Sequence, residues 1–244
     1  MPPLYPPSFF AFQITFAQRI AQRFGMPLAE AVRRYTPVAV SIHAENDWPD
    51  VARQIERGGD PLAAIYQRYL ERCGNERLPQ PGDALYHGYP LFGCFFFNMR
   101  DELTISTHFL SNDVPGARPL GHERLAARQD DLRRMFTLIY HALPQATTVR
   151  GHSWLYNLPA YRRIFPPSYT QAFVENPDGV LDQMVLWFQC YHRDWEVNPA
   201  LADQVLARVD QVGSLDDLRH CFPYQRLRTQ APIEDFYRFY QIAP

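Results

Sequence analysis

"LFGCFFFNMRDELTISTHFL", residues 91–110, is where the pattern of this chain changes. Two runs rich in Phe, Thr and Ile flank the polar pair Arg100-Asp101, and that arrangement predicts an antiparallel hairpin. Upstream the periodicity is helical. In "SFFAFQITFAQRIAQRFG", Phe9, Phe12, Phe16, Ile20 and Phe24 recur at intervals of three and four, which is one helical face, and Gly25 suits the C-cap. "PLAEAVRRY", "NDWPDVARQIERGG" and "DPLAAIYQRYLERCG" repeat the pattern, with Pro in the first turn and Asp47 and Asp60 as N-cap candidates. Four helices are expected between Ser8 and Cys73.

Downstream, "HERLAARQDDLRRMFTLIYHAL" places Leu125, Leu132, Met135, Phe136, Ile139 and Leu143 on one helical side. A strand at "TTVRGHSWLY" and a short helix at "LPAYRRIF" follow. "LDQMVLWFQCYH" reads as a further strand, with a helix as the alternative. Helices are expected at "NPALADQVLARVDQVG" and "SLDDLRHCF", capped by Asn198 and Ser214, and an aromatic-rich helix at "PIEDFYRFYQ". The order is helices, then β-β-α-β-α-β, then helices, which is an α+β architecture. The Pro/Gly loop "RLPQPGDALYHGYP" divides a helical region, residues 1–80, from a mixed domain, residues 81–244, that includes the C-terminal helices.

Composition removes several function classes. The 244 residues, 46% hydrophobic, suffice for a sizeable core, and a net charge of −2 points to neither nucleic acid nor an acidic membrane as partner. All 24 basic residues are Arg, so Schiff-base chemistry, a Walker-type phosphate loop and a Lys general base are excluded. Cys73, Cys94, Cys190 and Cys221 are isolated and read as buried free thiols, which fits a reducing, cytoplasmic setting. "MPPLYPPSFFAF" lacks the basic and apolar regions of a signal peptide, and no stretch approaches the roughly 18 apolar residues of a membrane span. The G-x-S-x-G, H-E-x-x-H and G-x-G-x-x-G motifs are absent.

Three groups of residues carry candidate chemistry. On an alternating strand, Arg150, His152, Trp154 and Tyr156 share one face, and Val149, Gly151, Ser153 and Leu155 the other. Ser153 and His152 then point apart, so they form no dyad, and Arg150, His152 and Trp154 are the candidates to bind a substrate. In "ARPLGH", an R-x-x-G loop leads into a helix, and backbone N–H groups there can hold an anion, which nominates Arg118, Gly121 and His122. His108, His122 and His152 are also weighed as a metal group, but none shows a ligand spacing and no metal is assigned. Asp101-Glu102 reads as a hairpin turn, and Asp130-Asp131 as a helix surface beside Arg133 and Arg134.

The texts "STHFL", "RPLGHERLAAR", "RRMFTLIYHALP" and "HSWLYNLPAYRRIFPPSYTQAF" occur in an order that resembles the C-terminal domain of a bacterial group of GNAT-like acyltransferases. The resemblance spans Leu91 to Phe173, and Ser153-Trp154-Leu155 is its most specific step. The chain departs from that group where "THFL" replaces "HIP", where "SYTQAF" replaces "SNI…F", and where Glu123 stands in place of a second small residue of the acyl-CoA loop. It is also similar to a bacterial group of unknown function that shares "SWLYNL-AYRR-FP". The acyltransferase resemblance implies a GNAT-like mixed sheet whose central parallel strands splay. It implies acyl-CoA as a co-substrate rather than a tightly bound cofactor, and a small-molecule amine or hydroxyl as acceptor. His108 would then be the general base, Tyr156 the acid for the departing thiolate, and Arg118, Gly121 and His122 the pyrophosphate contacts. The alternative is a catalytically inactive GNAT-like binding or interaction protein.

Overall fold

The computed structural model describes residues 3–114, 116–176 and 181–242. In chain order it has α1 (Pro7–Phe24), α2 (Leu28–Tyr35), α3 (Val38–Ser41), α4 (Trp48–Glu56) and α5 (Pro61–Cys73). Then come β1 (Leu85–Tyr86), β2 (Tyr89–Pro90), β3 (Phe95–Met99), β4 (Thr104–Phe109), α6 (Leu125–Ala142) and β5 (Thr148–Ser153). The chain closes with α7 (Pro159–Arg162), α8 (Pro167–Gln171), β6 (Val174–Glu175), α9 (Met184–Trp187), α10 (Pro199–Val209), β7 (Leu227–Pro232) and α11 (Ile233–Phe239). Short 3-10 turns lie at His122–Arg124, Trp154–Asn157, Phe188–Cys190 and Leu215–Cys221. This mixture of helix and sheet is the α+β class. No helix among the described residues is long and apolar enough to cross a membrane.

The chain divides into two compact units, residues 1–78 with 177–225, and residues 79–176 with 226–244. The first unit is helical. Phe9, Phe12, Phe16 and Ile20 bury the expected face of α1, joined by Phe10. Gly25 ends α1 in the left-handed region, φ +66°, which a side chain disfavours. Asp60 caps α5 by accepting from Leu62 N–H, and Asn198 caps α10 by accepting from Leu201 N–H. Asp47 makes no cap; its carboxylate pairs with Arg68 and Arg72.

Two expectations are corrected here. Residues 184–190 form α9 and a 3-10 turn rather than a strand, because Leu186, Trp187 and Cys190 must all face one core and a strand would turn alternate residues outward. α10 and the 3-10 turn at Leu215–Cys221 do not accompany the sheet, whereas α11 does. Ala202, Val205, Leu218 and Cys221 share the core of Phe9, Phe16 and Ile20, and Phe222 packs on Phe16. The helical unit therefore closes only with residues more than a hundred positions downstream.

The second unit holds a five-stranded sheet in the order β3-β4-β5-β7-β6. β3 and β4 form the expected antiparallel hairpin, turned by Asp101, whose carboxylate accepts from Leu103 N–H. β4 and β5 are parallel and joined through α6. β7 pairs antiparallel with both β5 and β6. Ile105, Val149 and Ala231 point to one face, where they pack with Leu132, Met135, Phe136 and Ile139 of α6, Tyr161, Tyr169 and Phe236. All four cysteines of the chain are buried free thiols.

Candidate functional site

The parallel register of β4 and β5 covers only Thr104, Ile105 and Ser106 against Thr148, Val149 and Arg150. Beyond it the two strands part. Thr107 and Gly151 are the next residues on each strand and belong to the helix-covered face. Tyr156 and Tyr169 reach this point with both hydroxyls, which lie 2.7 Å apart. A methyl group on Gly151 would overlap both phenol oxygens, so glycine here serves close approach. Burial pushes Tyr156 well above the ordinary phenol range and Tyr169 up to about 12, with Thr107 pulling both slightly down. The parting is thus filled by neutral phenols from the chain itself.

This arrangement corrects the grouping of Tyr156 with Arg150. The strand ends at Ser153, whose hydroxyl accepts from Leu155 N–H, and the 3-10 turn carries Tyr156 round to the buried face. Trp154 begins that turn and is half-buried. Ser153 caps it and is no nucleophile beside His152.

The opposite face of the sheet is polar. Strand register sets Asn98, Ser106, Arg150 and Gln230 in one row, and places His108, His152 and Arg228 beyond it. Arg100 follows β3 on the same side, beside Thr104. His108 stacks on Phe96 with ring centroids 4.6 Å apart, and its Nε2 lies 3.0 Å from the Asn98 side-chain oxygen. Burial lowers its pKa, and Arg100 adds to the effect. Phe96 is also flanked by Tyr86 and Tyr89 of the β1–β2 hairpin.

His152 is the most perturbed group on this face. Burial first, then Arg226, Arg150, Arg100 and Arg228, lower its pKa to about 4. The Asn176 amide nitrogen, 3.4 Å from Nδ1, can only donate, so Nδ1 accepts and the proton sits on Nε2. That Nε2 is buried and has no hydrogen-bond partner, and neither has the buried Ser106 hydroxyl. Arg100, Arg150 and Arg228 form no ion pair among the described residues. Arg124, Arg128, Arg133, Arg134 and Arg238 all do.

The loop after β4 is built differently from the anion cradle expected at Arg118, Gly121 and His122. Gly121 N–H donates to the Arg118 carbonyl at 2.8 Å and is therefore committed to a turn. The Glu123 carboxylate crowds the space above Gly121 Cα. His122 is exposed at the head of a three-residue 3-10 turn. Asp113 in this loop pairs with Arg124 and Arg128; burial alone would raise its pKa, but the Val114 N–H and Arg124 outweigh it and lower it. His108, His122 and His152 do not converge as a metal-ligating group among the described residues.

Sequence reasoning located His108, Arg150 and His152 on one sheet face, and missed Arg100, Ser106, Arg228 and Tyr169. A signal for Arg228 was present. "RLRTQAP" alternates Arg226, Arg228, Gln230 and Pro232 with Leu227, Thr229 and Ala231, the period of a half-buried strand. No protein-family model, curated protein or solved structure matches the chain.

Proposed function

We propose that the sheet unit is a GNAT-like fold that works as a binding module for a small, multiply charged anion. The ligand lies on the polar sheet face, with Arg100, Arg150 and Arg228 around the Nε2–H of His152. The observation that carries this reading is the set of three arginines on one face without a carboxylate partner among the described residues. Guanidinium groups suit phosphate and carboxylate through paired N–H donors, and the buried donors at His152 and Ser106 would gain the acceptors they lack. The parallel pair that parts after three registered residues supports the GNAT-like part of the reading. The phenols in the parting and the committed Gly121 N–H weigh against an acyl donor there.

A second reading, acyl transfer from acyl-CoA to an amine, is favoured by the same parted strands. It requires Tyr156 and Tyr169 to withdraw and make room for the thioester. Calorimetry with inorganic pyrophosphate and with acetyl-CoA separates the two. Pyrophosphate is expected to bind, more weakly at higher salt, and Arg150→Gln to weaken it by about tenfold or more, the loss of one charge-assisted hydrogen bond. Acetyl-CoA with amine acceptors is expected to release no thiol. A folded sample giving no heat with pyrophosphate sinks the anion reading. Thiol release that Tyr156→Phe abolishes replaces it with acyl transfer.

A further inference from the structure

The helical unit holds a convergence of ligand-type side chains that is independent of the sheet face. His43, Cys73 and Glu76 each offer one donor atom, and the three atoms lie within 4.8 Å of one another. His43 Nε2 and Glu76 Oε1 are 3.3 Å apart. A tetrahedral site with bonds of about 2.0–2.3 Å separates its donor atoms by about 3.3–3.8 Å. The His–Glu pair already has that spacing, and the thiol sulfur lies within 4.8 Å of both donor atoms. We propose that His43, Cys73 and Glu76 form a divalent transition-metal site of zinc type, with three protein ligands and an open fourth position.

The backbone around the trio is fastened in place. His43 has φ +50°, a left-handed conformation that β-carbon-bearing residues adopt at a cost, and it stands two residues past the end of α3. The Arg72 guanidinium donates to the His43 carbonyl, which ties that turn to the end of α5 one residue before Cys73. Glu76 N–H donates to the Cys73 carbonyl at 2.9 Å, which closes the turn that returns the carboxylate over the thiol. The ligands therefore stand at the C-terminal end of a 13-residue helix, where the helix dipole favours a cation.

The donor set selects the metal class. Thiolate and imidazole prefer zinc and the later first-row ions over magnesium or calcium, and one carboxylate makes the set neutral around a divalent ion once the thiol has lost its proton. Cys73 is 1% exposed, so its sulfur is set against the helical core. A thiol binds a metal only after losing its proton, so entry of the ion would release one.

The test uses the full chain, stripped with chelator and kept reduced, and titrated with Co²⁺. Binding at one equivalent is expected, with a thiolate-to-cobalt charge-transfer band in the near ultraviolet and strong visible bands of four-coordinate geometry. Zn²⁺ is expected to displace the cobalt and to raise Tm. Cys73→Ser should remove the charge-transfer band. His43→Asn, which tolerates the left-handed backbone, and Glu76→Gln should each weaken cobalt binding at least tenfold while keeping the wild-type circular dichroism. A folded wild-type chain without the thiolate band overturns the proposal, and so does a band that survives in Cys73→Ser. Should Cys73→Ser fail to fold, the other two variants decide, and unchanged cobalt affinity in both overturns it.

Discussion

Single residues show how far chemical type can be read before geometry is known. The alternation of β5 gave the correct neighbours to Arg150 and His152, because the pleat is a local property of the backbone. Tyr156 was misplaced, since the strand stops at Ser153 and a single hydroxyl cap starts a turn there. No local pattern announces that Gly151 must lack a side chain; the phenol of Tyr169 arrives from 18 residues further along the chain. His152 makes a pH prediction. Its pKa is about 4 in the folded chain and about 6.5 when exposed, through burial first and then four arginines. Above pH 6.5 both states are neutral there and the residue adds no pH dependence. As pH falls from 6.5 to about 4 the unfolded chain takes up a proton that the folded chain refuses, so stability is lost across that window. Denaturant melts from pH 7 to 4 should show this slope, and His152→Gln should flatten it. An NMR titration of the ring should show its pKa rising when pyrophosphate is added.

At the scale of elements, amphipathic helices were the most legible. α1, α4, α5, α6 and α10 lie where the 3.6-residue period put them, because burial of one face is what holds each helix. α6 also carries something the period hides. Arg128 and Asp131 lie on its buried side, and Asp131, expected at the surface, has its pKa raised by burial. Arg128 reaches Asp113 in the loop after β4 and Asp131 on its own helix, each at 3.4 Å, and donates to the Cys94 sulfur before β3. One guanidinium thus joins the helix to the hairpin and its loop. Arg128→Ala is expected to cost about 2–3 kcal/mol in chemical denaturation, since it removes the buried counter-charge shared by two buried carboxylates and leaves Asp113 to Arg124 and Asp131 to the more exposed Arg134. A loss below about 1 kcal/mol would mean that solvent reaches the cluster. β7 was the least legible element. Its alternation is clear, but Gln230 and Pro232 are poor strand formers, and only pairing with β5 and β6 makes the segment a strand.

For the whole molecule, the chain order misleads about the units. The first crossing between units falls between residues 78 and 79, at the start of the Pro/Gly loop. Composition gave no sign that the chain returns to the helical unit at 177 and leaves it again at 226, because linkers and ordinary turns use the same residues. The structure predicts that a fragment of residues 1–80 does not fold alone. Phe9, Phe16 and Ile20 would lose Trp187, Val205, Leu218 and Phe222, and exposure of that apolar surface outweighs what five isolated helices can supply. Circular dichroism of the fragment should show weak helicity and no cooperative melt; a sharp transition like that of the intact chain would refute this.

The position of β7 has a consequence for synthesis on the ribosome. The strand that sits between β5 and β6 is made after both of them, and the helical unit waits for Leu218 and Phe222 shortly before it. A domain ordinarily folds as it emerges, N-terminal part first. Here neither unit can close until translation has passed residue 220, so the segments made before it must wait with their Phe-rich faces open. A ribosome that stalls before that point would leave two incomplete cores at once, with the apolar faces of both open to water.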